Sequence, residues 1–215
     1  IVERGIEVLV NLAHRGAAGA DPDTGDGAGI LMQMPDSFFR SPAGGLGFDL
    51  PALHEYAVGM TFLPQDDAGR VQCESLIEAT VGSEGQRFLG WRDVPVDPTS
   101  IGYVARDCQP TIRQFFVAKG EGVTDEKAFD RKLYIIRKII EHAVEGANLE
   151  NPDEFYICSL SPTVMVYKGL LLAHQVKAFY TDLANPALTS SFALVHSRFS
   201  TNTLGSWKLA HPYRY

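Results

Sequence analysis

The chain has 215 residues, 45% of them hydrophobic and 21% charged, the balance of an ordinary soluble globular protein with material for one large core or two small ones. Lys and Arg number 19 against 26 Asp and Glu, a net charge of −7. With no basic cluster longer than two residues, nucleic acid and acidic membrane are poor partners.

No apolar run approaches the roughly 20 residues needed to span a bilayer, and nothing at the start resembles a signal peptide. The three cysteines, Cys73, Cys108 and Cys158, are scattered. They form neither a metal-ligand spacing nor a disulfide framework, so the expected compartment is a reducing cytoplasm. The first residue is Ile1, inside a helical pattern, and the last is Tyr215, inside a motif; the expectation is that both ends are cut.

Residues 1–13 place Ile1, Val2, Ile6, Leu9, Val10 and Leu12 at helical spacing, which predicts an amphipathic helix packed on a sheet. It runs into His14-Arg15-Gly16 and a glycine- and aspartate-rich loop. The stretch Asp21-Pro22-Asp23-Thr24-Gly25-Asp26-Gly27 puts oxygens at alternating positions, as a calcium loop does, but lacks the distal bidentate Glu. Local turns, closed by Asp and relieved by Gly, account for it better. A strand is predicted over 28–34, bounded by Pro35, then a short helix over 36–40 and a Gly-rich loop.

From Tyr56 the pattern becomes regular. Strands are predicted over 56–63, 87–94, 112–118 and 155–159, with helices over 66–81 and 124–145. The second helix takes Thr124 as its cap and buries Phe129, Leu133, Ile136, Ile140 and Val144 on one face. The order β-α-β-β-α-β predicts an embedded ferredoxin-like α+β unit over 56–159. His54 and His142 have no partners at ligand spacing and read as structural or surface residues. Cys158 reads as a small buried hydrophobe. Cys73 stands beside Glu74 and near Glu78, which raises its pKa and makes it a poor nucleophile.

After Pro162 a strand is predicted over 163–167, antiparallel to 155–159 across a tight turn and ended by Lys168-Gly169. Lys168 reads as structural. A helix over 170–179 and a polar loop over 182–190 follow. The run Phe192, Ala193, Leu194, Val195 has the composition of a buried strand. At His196 it breaks into HSRFSTNT, where Arg198 stands among hydroxyl residues. A planar guanidinium with short hydroxyl side chains at a strand end suits a ligand carboxylate. A snorkelling Arg among ordinary turn residues fits the same spacing.

Two long blocks, HSRFSTNT followed by WKLAHPYR and HRGAAGADPDTGDGAGIL over 14–31, together with Tyr167-Lys168-Gly169, resemble the N-terminal glutaminase domain of the glutamate synthase large subunit. That domain is a class II glutamine amidotransferase of the N-terminal-nucleophile hydrolase type, and the resemblance covers essentially the whole chain. It implies an α+β fold: one glutaminase domain over 1–215, a partial sandwich of αββα layers, with the embedded unit at 56–159.

By the same resemblance the ligand is L-glutamine, its α-carboxylate paired with Arg198 and flanked by Ser200 and Thr201. Arg15, Gly27, Gly29, Asn202 and His211 would support the cleft. The family's nucleophile is an N-terminal Cys whose own amino group shuttles the proton, with an Asn-Gly pair as oxyanion hole. Neither stands in these 215 residues, so no catalytic residue is assigned, and the chain is expected to be a fragment inactive alone.

The parent would pass ammonia to 2-oxoglutarate in other domains of the large subunit that hold FMN and an iron–sulfur cluster, with a small reductase subunit as a further partner. No phosphate-cradling loop or cysteine cluster here would bind those groups. Two rivals belong to other classes: a nucleophile-free module that binds an amino acid for regulation, and a subunit-contact domain with no ligand.

Overall fold

The computed structural model describes residues 1–16, 21–147, 149–199 and 205–213, with the side chain of Arg15 outside the description. In chain order the elements are α1 (Val2–Asn11), β1 (Ala28–Gln33), α2 (Asp36–Arg40), β2 (Tyr56–Leu63), α3 (Asp67–Ser83), β3 (Arg87–Asp93), α4 (Tyr103–Asp107), β4 (Thr111–Ala118), α5 (Glu126–Glu145), β5 (Tyr156–Ser161), β6 (Val164–Gly169), α6 (Gln175–Phe179) and β7 (Ala193–Ser197). The chain is mixed α and β with two sheets, in keeping with an α+β class. It divides into two compact units: unit 1 takes 1–44, 94–109 and 166–214, and unit 2 takes 45–93 and 110–165.

Unit 2 carries a four-stranded sheet in the order β3-β4-β2-β5. Each neighbouring pair is antiparallel. Helix α5 buries Phe129, Leu133, Ile136, Ile140 and Val144, the face its 3.6-residue period predicts. Helix α3 contributes Cys73, Ile77 and Val81 to the same core, and the strands add Ala57, Leu63, Phe115, Val117 and Ile157. Each such Leu, Ile or Phe withdrawn from water contributes roughly 1.5–3 kcal/mol.

The helix starts differ slightly from expectation. Asp125, not Thr124, caps α5, its carboxylate accepting from the Ala128 amide at 2.8 Å. Asp66 caps α3 in the same way, accepting from Gly69 at 2.6 Å. A carboxylate one residue nearer the helix answers both the unpaired first-turn amides and the positive end of the dipole, so it displaces the hydroxyl.

Unit 1 carries a three-stranded sheet in the order β6-β1-β7. Strand β7 runs antiparallel to β1, with Ala28 opposite Ser197 and Gly29 opposite His196. Helix α1 packs on this sheet through buried Val2, Ile6 and Leu9. A Cβ added at Gly5 would stand 2.8 Å from the Ala193 Cβ. Only glycine lets helix and strand approach this closely.

Three expectations for unit 1 are corrected. Strand β7 is not buried: it ends the sheet order, and Phe192 and Leu194 are 44% and 54% exposed. Apolar composition signals a strand but does not say which of its faces is covered. Strands β5 and β6 do not pair as a hairpin, since they belong to different sheets. The turn between them is held by Ser161, whose Oγ accepts from the amides of Thr163 and Val164. The helix expected over 170–179 forms only over Gln175–Phe179, because the Gln175 side chain accepts from the Leu172 amide and closes a turn there instead.

Candidate functional site

The site is built where β1, β6, β7 and a turn at 206–210 meet within unit 1. Arg198 directly follows β7, and its amide donates to the Gly27 carbonyl at 2.7 Å, which extends the β1–β7 register by one step. Gly27 has φ of +132°, and a Cβ there would meet the Ala210 Cβ at 2.9 Å, so both backbone and space demand glycine. Gly29 is closer still: a Cβ would stand 2.5 Å from the Tyr167 carbonyl and 2.7 Å from that of His211.

The 206–210 turn is closed by the Leu209 and Ala210 amides, both donating to the Ser206 carbonyl. Its own carbonyls are taken by two cations. The Lys168 ammonium, on a side chain just 1% exposed, donates to Lys208 O at 3.0 Å and Ala210 O at 2.7 Å. Arg198 Nη1 reaches Leu209 O at 3.4 Å. An ammonium so deeply buried must find strong acceptors, and these carbonyls supply them.

Beside Arg198, His196 Nε2 and His211 Nδ1 share a hydrogen bond of 3.1 Å, with ring centroids 4.5 Å apart. Tyr213 lies over His211 at 4.2 Å between centroids. Burial holds both imidazoles below their ordinary pKa of 6.5, and the Arg198 charge pushes in the same direction. Both rings are therefore neutral at neutral pH, one donating and the other accepting.

Deeper contacts position this frame. The Tyr180 hydroxyl donates to Lys168 O at 2.6 Å, and the Tyr167 hydroxyl to a buried Asp182 carboxylate at 3.0 Å. The Trp207 indole donates to Ala105 O at 3.1 Å, and Gly169 leaves room for its ring. In the preceding loop Asp21 accepts from the Thr24 hydroxyl at 2.7 Å and from the Asp23 and Val104 amides. These bonds, led by Thr24, hold its carboxyl below the usual range. Asp21 thus closes a local turn, as the composition of the loop suggested.

Of the residues expected at the site, Arg198, Gly27, Gly29 and His211 come together. Ser200, Thr201 and Asn202 lie outside the described residues, as does the side chain of Arg15, whose backbone ends a short 3-10 turn at Ala13–Arg15. Sequence reasoning missed His196 as a partner of His211 and the Leu209 carbonyl as a partner of Arg198. His196 heads the HSRFSTNT motif and could have been paired with a later His; a carbonyl carries no signal in the sequence.

Comparison with known proteins decides the family. The family model described as "Glutamine amidotransferases class-II" matches residues 1–215. The chain belongs to the class-II glutamine amidotransferases.

Among curated proteins, this amidotransferase chain is 48% identical over 217 residues to the glutamate synthase [NADPH] large chain of Bacillus subtilis (strain 168). It is 43% identical over 215 residues to the protein of the same name in Azospirillum brasilense. Identity to the ferredoxin-dependent glutamate synthase 2 of a Synechocystis species is 39% over 214 residues. All of the chain is covered each time, yet it spans only 13–14% of the length of these relatives. No helix among the described residues is long and apolar enough to cross a membrane.

Proposed function

We propose that this chain is part of the glutamine-hydrolysing domain of a glutamate synthase large subunit, and that Arg198 grips the α-carboxylate of L-glutamine. The observation that carries the reading is the seat of Arg198: a strand end tied to Gly27, a guanidinium that reaches the Leu209 carbonyl, and two close-packed glycines beside it. Relatives aligned over the whole chain and named as glutamate synthases support the same assignment. Ser200 and Thr201 would complete the cradle, with Arg15, Asn202 and His211 as its supports. In the parent enzyme an Arg198→Ala change is expected to raise KM for glutamine roughly ten- to a hundredfold, the weight of a charge-assisted contact. An unchanged KM contradicts the proposal.

In this reading the ammonia released goes to 2-oxoglutarate elsewhere in the large subunit, with FMN and an iron–sulfur cluster held there and a small reductase subunit as a further partner. Among the described residues no three His, Cys, Asp or Glu side chains are grouped as a metal ion would need. The chain alone would not hydrolyse glutamine. Burial, with Asp66 and Glu74 adding to it, pushes the Cys73 thiol up to about 12, so it stays protonated. Cys158 is buried in β5, and Cys108 turns its sulfur onto the Val104 carbonyl. Glutamine hydrolysis by residues 1–215 that survives removal of all three cysteines would refute this.

For the fold we propose an incomplete N-terminal-nucleophile hydrolase sandwich containing a ferredoxin-like unit over 56–159. The order β3-β4-β2-β5, its antiparallel pairings and the placing of α3 and α5 in one core support the second part.

A further inference from the structure

We infer that Lys168 is a positioning residue for glutamine binding, acting on Arg198 through the 206–210 turn; this rests on the proposed role of Arg198. Three consecutive carbonyls of the turn are involved. Lys168 Nζ holds those of Lys208 and Ala210, and Arg198 Nη1 meets the one between, of Leu209. The turn is thereby a strut between a buried ammonium and a half-buried guanidinium. Its place relative to the sheet is set by the lysine, which rises from β6 with its own carbonyl fixed by the Tyr180 hydroxyl.

Two further contacts make the strut stiff. Ala210 packs against the Gly27 backbone, and His211 is bonded to His196, two residues before Arg198. A shift of the turn would therefore pull on both ends of the Arg198 segment. Removing the ammonium leaves two carbonyls, one of them on buried Ala210, without that donor. The turn then has reason to move toward water, and the guanidinium loses its set point.

The test uses the full-length parent polypeptide and steady-state glutamine hydrolysis. Lys168→Met is expected to raise KM roughly tenfold, the weight of one hydrogen bond to a charged group, with kcat within about twofold. In an Arg198→Ala background the same change is expected to add nothing to KM, because the group it positions is gone. A merely structural lysine predicts the opposite: a lower unfolding temperature with KM unmoved, as in an Asp125→Ala control.

Should the Met variant fail to fold, Lys168→Gln carries the test. Its amide retains donors for the turn at shorter reach, so a smaller KM rise is expected, and no rise overturns the inference. If Arg198→Ala leaves KM unmoved, the reading of Arg198 falls and this inference with it. If Arg198→Ala raises KM while the Lys168 variants do not, only the role of Lys168 is overturned.

Discussion

Each unit is held together internally by contacts of its own kind. In unit 2 the stabilising groups are apolar and recur with the periods of helix and strand: five residues of α5 and three of α3 meet the sheet in one core. In unit 1 the contacts that fix the site are single, polar and distant in sequence, such as Lys168 to Ala210 and His196 to His211. An apolar core loses stability in proportion to the volume removed. A polar tie fails as a whole when its donor goes, and leaves an unpaired acceptor behind. Damage to unit 2 should therefore cost stability and spare glutamine affinity, while damage to unit 1 should cost affinity first.

The largest effect should come from Phe129→Ala in α5, whose side chain is fully buried. Cavity formation is expected to cost about 3–5 kcal/mol, read from the urea midpoint and slope, with KM unchanged at temperatures where the fold persists. A loss under 1 kcal/mol would break the contrast.

Gly29→Ala comes next, since its Cβ would press on two carbonyls of the site. We expect about 1–3 kcal/mol of destabilisation together with a higher glutamine KM, and the joint effect is what separates the units. Asp125→Ala removes only a helix cap, costing about 1 kcal/mol with KM unmoved.

The smallest effect is a pH dependence. His196 and His211 are held below 6.5 in the folded chain, so the unfolded chain takes up protons first as pH falls. Their contribution is thus complete above pH 6.5 and is lost progressively below it. Unfolding temperature measured from about pH 8 to about pH 5 should fall on the acid side, and replacing both histidines by Asn should flatten that limb.

The same contrast explains what could be read in advance. The buried face of α5 was legible residue by residue, because helical periodicity is written in the order of its side chains. So were the bounds of β2, a run from Tyr56 to Leu63 that is polar only at Thr61. The α5 cap was misplaced by one residue because Thr124 and Asp125 are both good caps, and only geometry chooses between them.

In unit 1, Arg198 and the glycines were legible as a motif, and the short route from Arg198 to Gly27 follows from β7 pairing with β1. The structural reading of Lys168 did not reveal its two carbonyl partners, which lie 40 and 42 residues downstream. The burial expected of Phe192 and Leu194 failed because composition does not encode whether an edge strand has a neighbour.

The most direct measurement compares kcat/KM for glutamine with that for 4-aminobutanamide, the same molecule without its α-carboxylate, in the parent enzyme and its Arg198→Ala variant. If Arg198 holds the carboxylate, the variant loses activity on glutamine alone, and the preference for glutamine falls by about a hundredfold. A preference that survives the substitution intact would show that the carboxylate is recognised elsewhere.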